Sequence, residues 1–254
     1  MKILYFNGCS MVFGKDLVPM TMEQEDDPSY PGHVKRMDLA WPMHTRRELQ
    51  RHGMYPHTVV NKACSGASMQ RIMRTTFHDL APVNVPTDDV SCVVIGLTEP
   101  QRFEYNEEDT WQQVVLVRDS IKYLPRRIRK FSEDVSWYMH QEKPSHEMYL
   151  AFILSIQSLC KALGLRWAFA PSLDDDYLTV ALRAFPSYRS LLEADHIISG
   201  AMYTMCVQRG VPFGSTIHPL HEGHHLWGTH VGKELAELYP SLVGSPAASE
   251  VTAQ

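Results

Sequence analysis

Five of the thirteen histidines in this 254-residue chain fall within TIHPLHEGHHLWGTH, Thr216 to His230. Imidazoles at this density suit two kinds of chemistry. Read from His221, HEGHH matches the HExxH pattern of zinc hydrolases, with His221 and His225 one helical turn apart as ligands and Glu222 as general base. Read from His218, an imidazole followed by Pro219 stands at the mouth of a helix, where a base can take the proton of a serine supplied from elsewhere. The zinc reading lacks its last ligand. The longer form HExxHxxGxxH continues to Gly228 but meets Val231 where its final histidine belongs, and His230 is one residue off, about 100° round a helix. A zincin helix also extends well before its first histidine, whereas Pro219 starts this one close to His221. The serine and base are therefore preferred, and no metal or organic cofactor is expected.

Three earlier stretches join HPLHEGHHLWG (218 to 228) in order along the chain: NGCSMVFGKDL (7 to 17), NKACSGAS (61 to 68) and VVIGLTEPQRFE (93 to 104). Together they resemble the blocks of the SGNH, or GDSL-like, hydrolases, in particular short divergent phage-type members in which a GCS turn replaces GDS. The resemblance implies that Ser10 is the nucleophile and His218 its base, since a serine hydroxyl attacks a carbonyl only when a neighbour accepts its proton. It further implies an oxyanion hole made by the backbone N–H groups of Ser10 and Gly66, with Thr98 standing where the family has an asparagine. The family's aspartate three residues before the histidine is Ser215 here. The His218 ring must then be oriented by Ser215, by a main-chain carbonyl, or by an acid from Asp174 to Asp176, Asp195 or Glu222. Arg102 and Glu104 follow the third block and are candidates for positioning substrate or for pairing with one another.

The elements that would carry these residues alternate between strand and helix patterns. KILYF (2 to 6), HTVVN (57 to 61), VSCVVIG (90 to 96) and LRWAFA (165 to 170) are short apolar runs that stop at polar loops, as buried strands do. VKRMDLAWPMHTRRELQRHG reads as a helix broken or begun near Pro42, and Met69, Ile72, Met73 and Phe77 recur at helical spacing behind a cap at Ser65 or Ser68. Helical patterns are expected from Thr110 to Leu163 with an interruption at Pro144, and a final helix from just after His218 toward Tyr239. The order implies an α/β fold: a flavodoxin-like three-layer α/β/α domain with a mostly parallel central sheet, whose ligands bind at the carboxyl ends of the strands. One domain spanning 1 to 254 is expected, with an irregular helical insert at about 104 to 144 and a frayed tail at about 245 to 254.

The bulk numbers set the limits. With 44% hydrophobic residues the chain can fill a sizeable core, and a net charge of −5 provides no global field for nucleic acid. The basic run Lys122 to Lys130 reads as a solvated helix face beside acidic neighbours. ILYF is too short for a signal-peptide core and no window suits a membrane span, so a cytosolic chain is expected. Five scattered cysteines without a CxxC pair suit reduced thiols. The expected activity is cleavage of an ester, an acetyl or other short acyl group on a small-molecule, carbohydrate or lipid carrier, without membrane or nucleic-acid partners. The contrasting reading is a catalytically weak or inactive binding protein on the same fold, motivated by the absent aspartate and asparagine.

Overall fold

The run ILYFN is apolar enough to be covered on both sides and stops at Gly8, and it forms β1 (Ile3–Asn7) inside a four-stranded sheet. The structure is a computed structural model that describes residues 2–27, 29–55, 57–100, 102–107, 110–115, 126–139, 142–173 and 176–243. The sheet runs β2 (Thr58–Asn61), β1, β3 (Val90–Leu97), β6 (Trp167–Pro171), and every neighbouring pair is parallel. Between β3 and β6 lies a separate antiparallel pair, β4 (Arg102–Glu107) and β5 (Thr110–Val115).

Side chains along each central strand alternate between two apolar layers. Leu4, Phe6, Cys92, Val94, Ala168 and Ala170 face one layer. Tyr5, Val93, Ile95, Trp167 and Phe169 face the other. The first is filled from α1 (Ser10–Phe13), α4 (Trp41–Arg51), α9 (Met202–Gln208) and α10 (His221–Leu238), with Trp41, Met202, Trp227 and Val231 fully or almost fully buried. The second is filled from α5 (Met69–Asp79), α7 (Glu142–Ala162) and α8 (Asp176–Ala184), through Ile72, Leu150, Ile153, Ile156 and Ala181. Helices α2 (Met22–Asp26), α3 (Gly32–Leu39) and α6 (Arg126–Met139) complete the described set. A parallel sheet covered by helices on both faces is the three-layer α/β/α architecture that the alternating pattern implies.

Two local expectations change. The helical pattern expected from Thr110 gives way to strand β5, because Phe103, Tyr105 and Asn106 of β4 pair with Val114, Gln112 and Trp111 across a hairpin; β-branched and aromatic residues favour that pleated surface. Pro144, where an interruption is expected, instead lies in the first turn of α7, where its missing N–H has no intrahelical partner to lose. The segment expected to be broken or begun near Pro42 does divide there, at Ala40, with Pro42 as the second residue of α4. Residues 116 to 125, which include the first four residues of the basic run Lys122 to Lys130, lie outside the described residues, as do Asp174, Asp175 and the tail from 244.

The final helix is held in place by unusually close packing on α4. A Cβ at Gly228 would sit 2.5 Å from the Trp41 carbonyl oxygen and 2.6 Å from the His44 Cβ, and one at Gly232 would sit 2.6 Å from the Glu48 Cβ. The approach allows the Thr45 hydroxyl to donate to the Gly228 carbonyl at 3.1 Å, and the Trp41 N–H to donate to His224 Nδ1 at 3.2 Å. His224 thus caps the first turn of α4 from the neighbouring helix. Its ring is completely buried, and that burial, reinforced by His44, pushes its pKa down to about 3. Burial, then Arg47, pushes His44 down to about 4.

Two outcomes follow from this packing. Gly228→Ala forces a methyl group against backbone, and its thermal melting should show a loss of about 1–3 kcal/mol. The folded pKa of His224 lies below its unfolded value of 6.5, so the unfolded chain takes the proton first as pH falls. This contribution is complete above about pH 6.5 and decays below it, by at most about 1.4 kcal/mol per pH unit for each such histidine. Melting temperature should fall between about pH 7 and pH 5, and less steeply in His224→Asn, whose amide oxygen can still accept from Trp41; equal slopes would contradict the assignment.

Candidate active site

At the carboxyl end of β1 the chain turns at Gly8 and Cys9 and enters α1 with Ser10 as its first residue. The turn is anchored from below. Asn7 Oδ1 accepts from the Gly8 N–H at 2.8 Å, while Asn7 Nδ2 donates to the Thr75 and Thr76 hydroxyls of α5 at 2.8 and 2.9 Å. The Cys9 side chain is wholly buried in the core, so only the serine of the pair faces outward to the cleft. The loop after β2 is stitched to the same turn: Cys64 N–H donates to Gly8 O at 3.2 Å, and Asn61 Nδ2 donates to Val12 O at 2.9 Å. That loop carries Gly66 in the left-handed region at φ 76°. Among the described residues neither the Ser10 nor the Gly66 N–H donates to another protein group.

From the other end of the chain, the loop before α10 delivers His218. Its Nε2 lies 2.7 Å from Ser10 Oγ, across 208 positions of sequence. Its Nδ1 lies 2.8 Å from the Thr216 hydroxyl and 3.7 Å from Asp16 Oδ2. The same Asp16 oxygen accepts from the Thr216 hydroxyl at 2.6 Å and from the Thr216 N–H at 3.0 Å. The acid next to the histidine is thus Asp16, six residues after Ser10 and in the first block, not one of the carboxylates considered from the sequence. Ser215 is exposed and faces a neighbouring cavity with Lys15 and Asp16, and the hydroxyl on Nδ1 is that of Thr216.

Hydrogen-bond valence then sets the protons. An ionised carboxylate can only accept, so the Thr216 O–H points to Asp16 and its oxygen lone pairs are left for His218. Nδ1 must therefore carry the ring proton, and Nε2 presents a lone pair to the Ser10 O–H. Burial works to raise the Asp16 carboxyl, but the two Thr216 hydrogen bonds, with His218 and Lys15, outweigh it and hold the pKa below its usual 3.8. Burial is also the largest influence on His218, lowering it; Asp16 opposes this, Arg102 and Lys15 add to it, and the pKa ends below 6.5. The imidazole is neutral at neutral pH.

The loop geometry required for this contact is demanding. Asp16 and Ile217 are the two described non-glycine residues with positive φ, at 68° and 58°. A Cβ at Gly214 would lie 2.5 Å from Asp16 Oδ2 and Cβ, so this position admits no side chain while Asp16 stays in place. Such backbone cost persists only where surrounding contacts over-determine it.

The other expected residues divide. A cleft of about 540 Å³ is lined by Ser10, His218, Thr216, Arg102, Glu99 and Tyr203, among others. Thr98 is buried with an unpartnered hydroxyl and lines an adjoining cavity of about 230 Å³ with Tyr149, Ser172 and Tyr177; the two spaces share Glu99 and Leu173. Arg102 and Glu104 do not pair with one another. Glu104 accepts two hydrogen bonds from Arg74 of α5, both 3.0 Å long. Of the HExxH residues, Glu222 is exposed, while both histidines lie against His44: His225 Nδ1 is 3.2 Å from His44 Nδ1, and the His221 ring is 5.3 Å from the His44 ring. Among the described residues no group of three or more histidine, cysteine or carboxylate side chains is arranged to hold a metal ion.

No protein-family model matches the sequence, and no curated protein does. Solved structures do match. The psychrotrophic esterase EstA from Pseudoalteromonas sp., in a form inhibited by monoethylphosphonate, aligns over 94% of this chain and 100% of its own at 9% identity and a TM-score of 0.53. TesA aligns over 93% of this chain and 99% of its own, at 14% identity and a TM-score of 0.50. An acetyl xylan esterase from the rumen bacterium Butyrivibrio proteoclasticus aligns over 94% of this chain and 64% of its own, at 12% identity and a TM-score of 0.51. The likeness is one of fold, and the chain has the SGNH hydrolase-like fold that its four sequence blocks imply.

The charge balance around His218 can be read directly. Its pKa should titrate below 6.5 by NMR. Asp16 is the neighbour that raises it most, so Asp16→Asn should move it lower still, and an unchanged or higher value would contradict the assigned contact.

Proposed function

We propose that the protein is a serine hydrolase that cleaves an acetyl or other short acyl ester through an acyl-enzyme. The observation that carries this reading is the 2.7 Å contact between Ser10 Oγ and a His218 Nε2 whose other nitrogen is engaged by Thr216. Ser10 attacks the carbonyl carbon while His218 Nε2 takes its proton, and the imidazolium then returns that proton to the departing alcohol. Water repeats the sequence on the acyl-serine, releasing the acid.

Asp16 is a positioning residue in this scheme. Through Thr216 it holds the tautomer in which Nε2 is the acceptor, and its negative charge stabilises the imidazolium that forms during each step. The relay supplies what the missing aspartate at position 215 would have supplied. The N–H groups of Ser10 and Gly66 are the donors assigned to the developing oxyanion, each worth about 3–4 kcal/mol where such donors are well aimed. Thr98 is assigned as an auxiliary donor, supported by its place directly after β3, the strand paired with β1, and by its hydroxyl, which has no partner among the described residues. The similar structures include esterases, which agrees with this class of reaction. A carbohydrate, lipid or other small-molecule ester is the proposed substrate.

Labelling with an uncharged fluorophosphonate tests the proposal. Covalent capture is expected at Ser10, absent in Ser10→Ala and slowed in His218→Asn, as read by mass spectrometry of the intact chain. Asp16→Asn and Thr216→Val should each lower kcat on an aryl acetate, Asp16→Asn by about a hundredfold or more, whereas Thr216→Ser, which keeps the hydroxyl, should stay near the starting rate. A folded chain that neither labels nor turns over an ester would instead be a binding protein on this fold.

A further inference from the structure

Arg102 opens β4 and projects to the wall of the cleft that holds Ser10 and His218. Its stem also borders an apolar pocket lined by Met69, Met73, Met148 and Phe152, which removes much of the side chain from water. Nε and Nη1 of its guanidinium are both inaccessible to solvent and have no hydrogen-bond partner among the described residues. A guanidinium cannot shed its charge at physiological pH, and leaving it desolvated and unpaired is unfavourable.

The acids near this side chain are otherwise engaged. Glu104, two residues along the same strand, is held by Nε and Nη2 of Arg74 and has a side chain only 2% exposed. Asp16 is occupied by Thr216 and His218, and Glu25 by Lys15. Glu99 shares the cleft wall, but no ion pair forms between it and Arg102 within the described residues, and its charge acts on Tyr177 in the adjoining cavity. Arg102, by contrast, is felt at His218. Among the described residues no carboxylate pairs with this guanidinium beside Ser10 and His218.

We infer that Arg102 is a specificity residue that binds an anionic group, a carboxylate or phosphate carried by the ester close to its scissile bond. This rests on the hydrolase reading and narrows it to esters bearing a negative charge. The donor fork of arginine suits either anion; because Nε and Nη1 are shielded, the anion is met by the part of the side chain that lines the cleft, and the desolvated charge behind it strengthens the attraction.

Two matched pairs of esters test the inference and distinguish which half of the substrate bears the charge. For the acyl half, 4-nitrophenyl hemisuccinate is compared with its neutral shape analogue 4-nitrophenyl 4-methylpentanoate. For the alcohol half, 4-acetoxybenzoate is compared with 4-isopropylphenyl acetate. Intrinsic reactivity cancels when the ratio of kcat/KM within a pair is compared between the natural protein and Arg102→Gln, with melting temperature confirming that the variant is folded. The ratio should fall by about tenfold to a hundredfold in Arg102→Gln for at least one pair, mainly through KM, and recover in part in Arg102→Lys. Turnover of both pairs with ratios that Arg102→Gln leaves unchanged would overturn the anion site while leaving the hydrolase intact. Absence of any turnover together with absence of Ser10 labelling would overturn the hydrolase reading itself, and this inference with it.

Discussion

The hydrogen bond between Ser10 and His218 is the constraint to which the rest of the molecule answers. Its two partners come from opposite ends of the chain, and a separation of 2.7 Å tolerates little slack in either. On one side the serine is fixed by a strand at the centre of the sheet, whose last residue, Asn7, is tied to both the turn and α5. On the other the histidine sits just before α10, so its position depends on how that helix is seated. The close contact of Gly228 and Gly232 with α4, and the cap that His224 gives to Trp41, are what seat it.

The electrostatics of the pair are arranged over a similarly short range. His218 is stripped of enough water to stay neutral, yet retains Asp16 behind it to accept the cost of becoming charged. Interposing Thr216 keeps the carboxylate 3.7 Å from Nδ1 while preserving a continuous chain of donors and acceptors. The carboxylate itself is kept ionised by those same hydrogen bonds, so the acid and the base stabilise each other's working states. Arg102 adds positive potential on the cleft side of the ring, and the cleft thereby presents a neutral base flanked by a fixed anion and a fixed cation.

Much of the histidine-rich stretch turns out to serve the fold. HEGHH can be read as a metal motif because a helix repeats every 3.6 residues, but the partner helix decides what each ring meets. His224 turns inward to cap α4, His225 meets His44, and His230 Nε2 faces the Ser199 carbonyl and the Glu234 carboxylate, to which only it can donate. Only His218, outside the helix, reaches the serine. Local spacing states which residues share a face and is silent about what faces them.

What the sequence determined by itself was therefore the local order: apolar runs of strand length, helical periodicity between them, loops at the strand ends, and with these a parallel three-layer sheet and the places where reactive residues sit. Those properties follow from short-range sterics and from burial periodicity, which a linear chain records. It also held Asp16 in plain view within NGCSMVFGKDL, beside the serine it indirectly serves. Only the tertiary structure decided that this acid, with Thr216, stands behind His218, that Glu104 belongs to Arg74, and that Nε and Nη1 of Arg102 have no partner among the described residues. Pairings of this kind depend on distances between segments up to 200 positions apart, which no periodicity encodes, because they are set by how layers pack and by the left-handed turns at Asp16 and Ile217 that packing enforces.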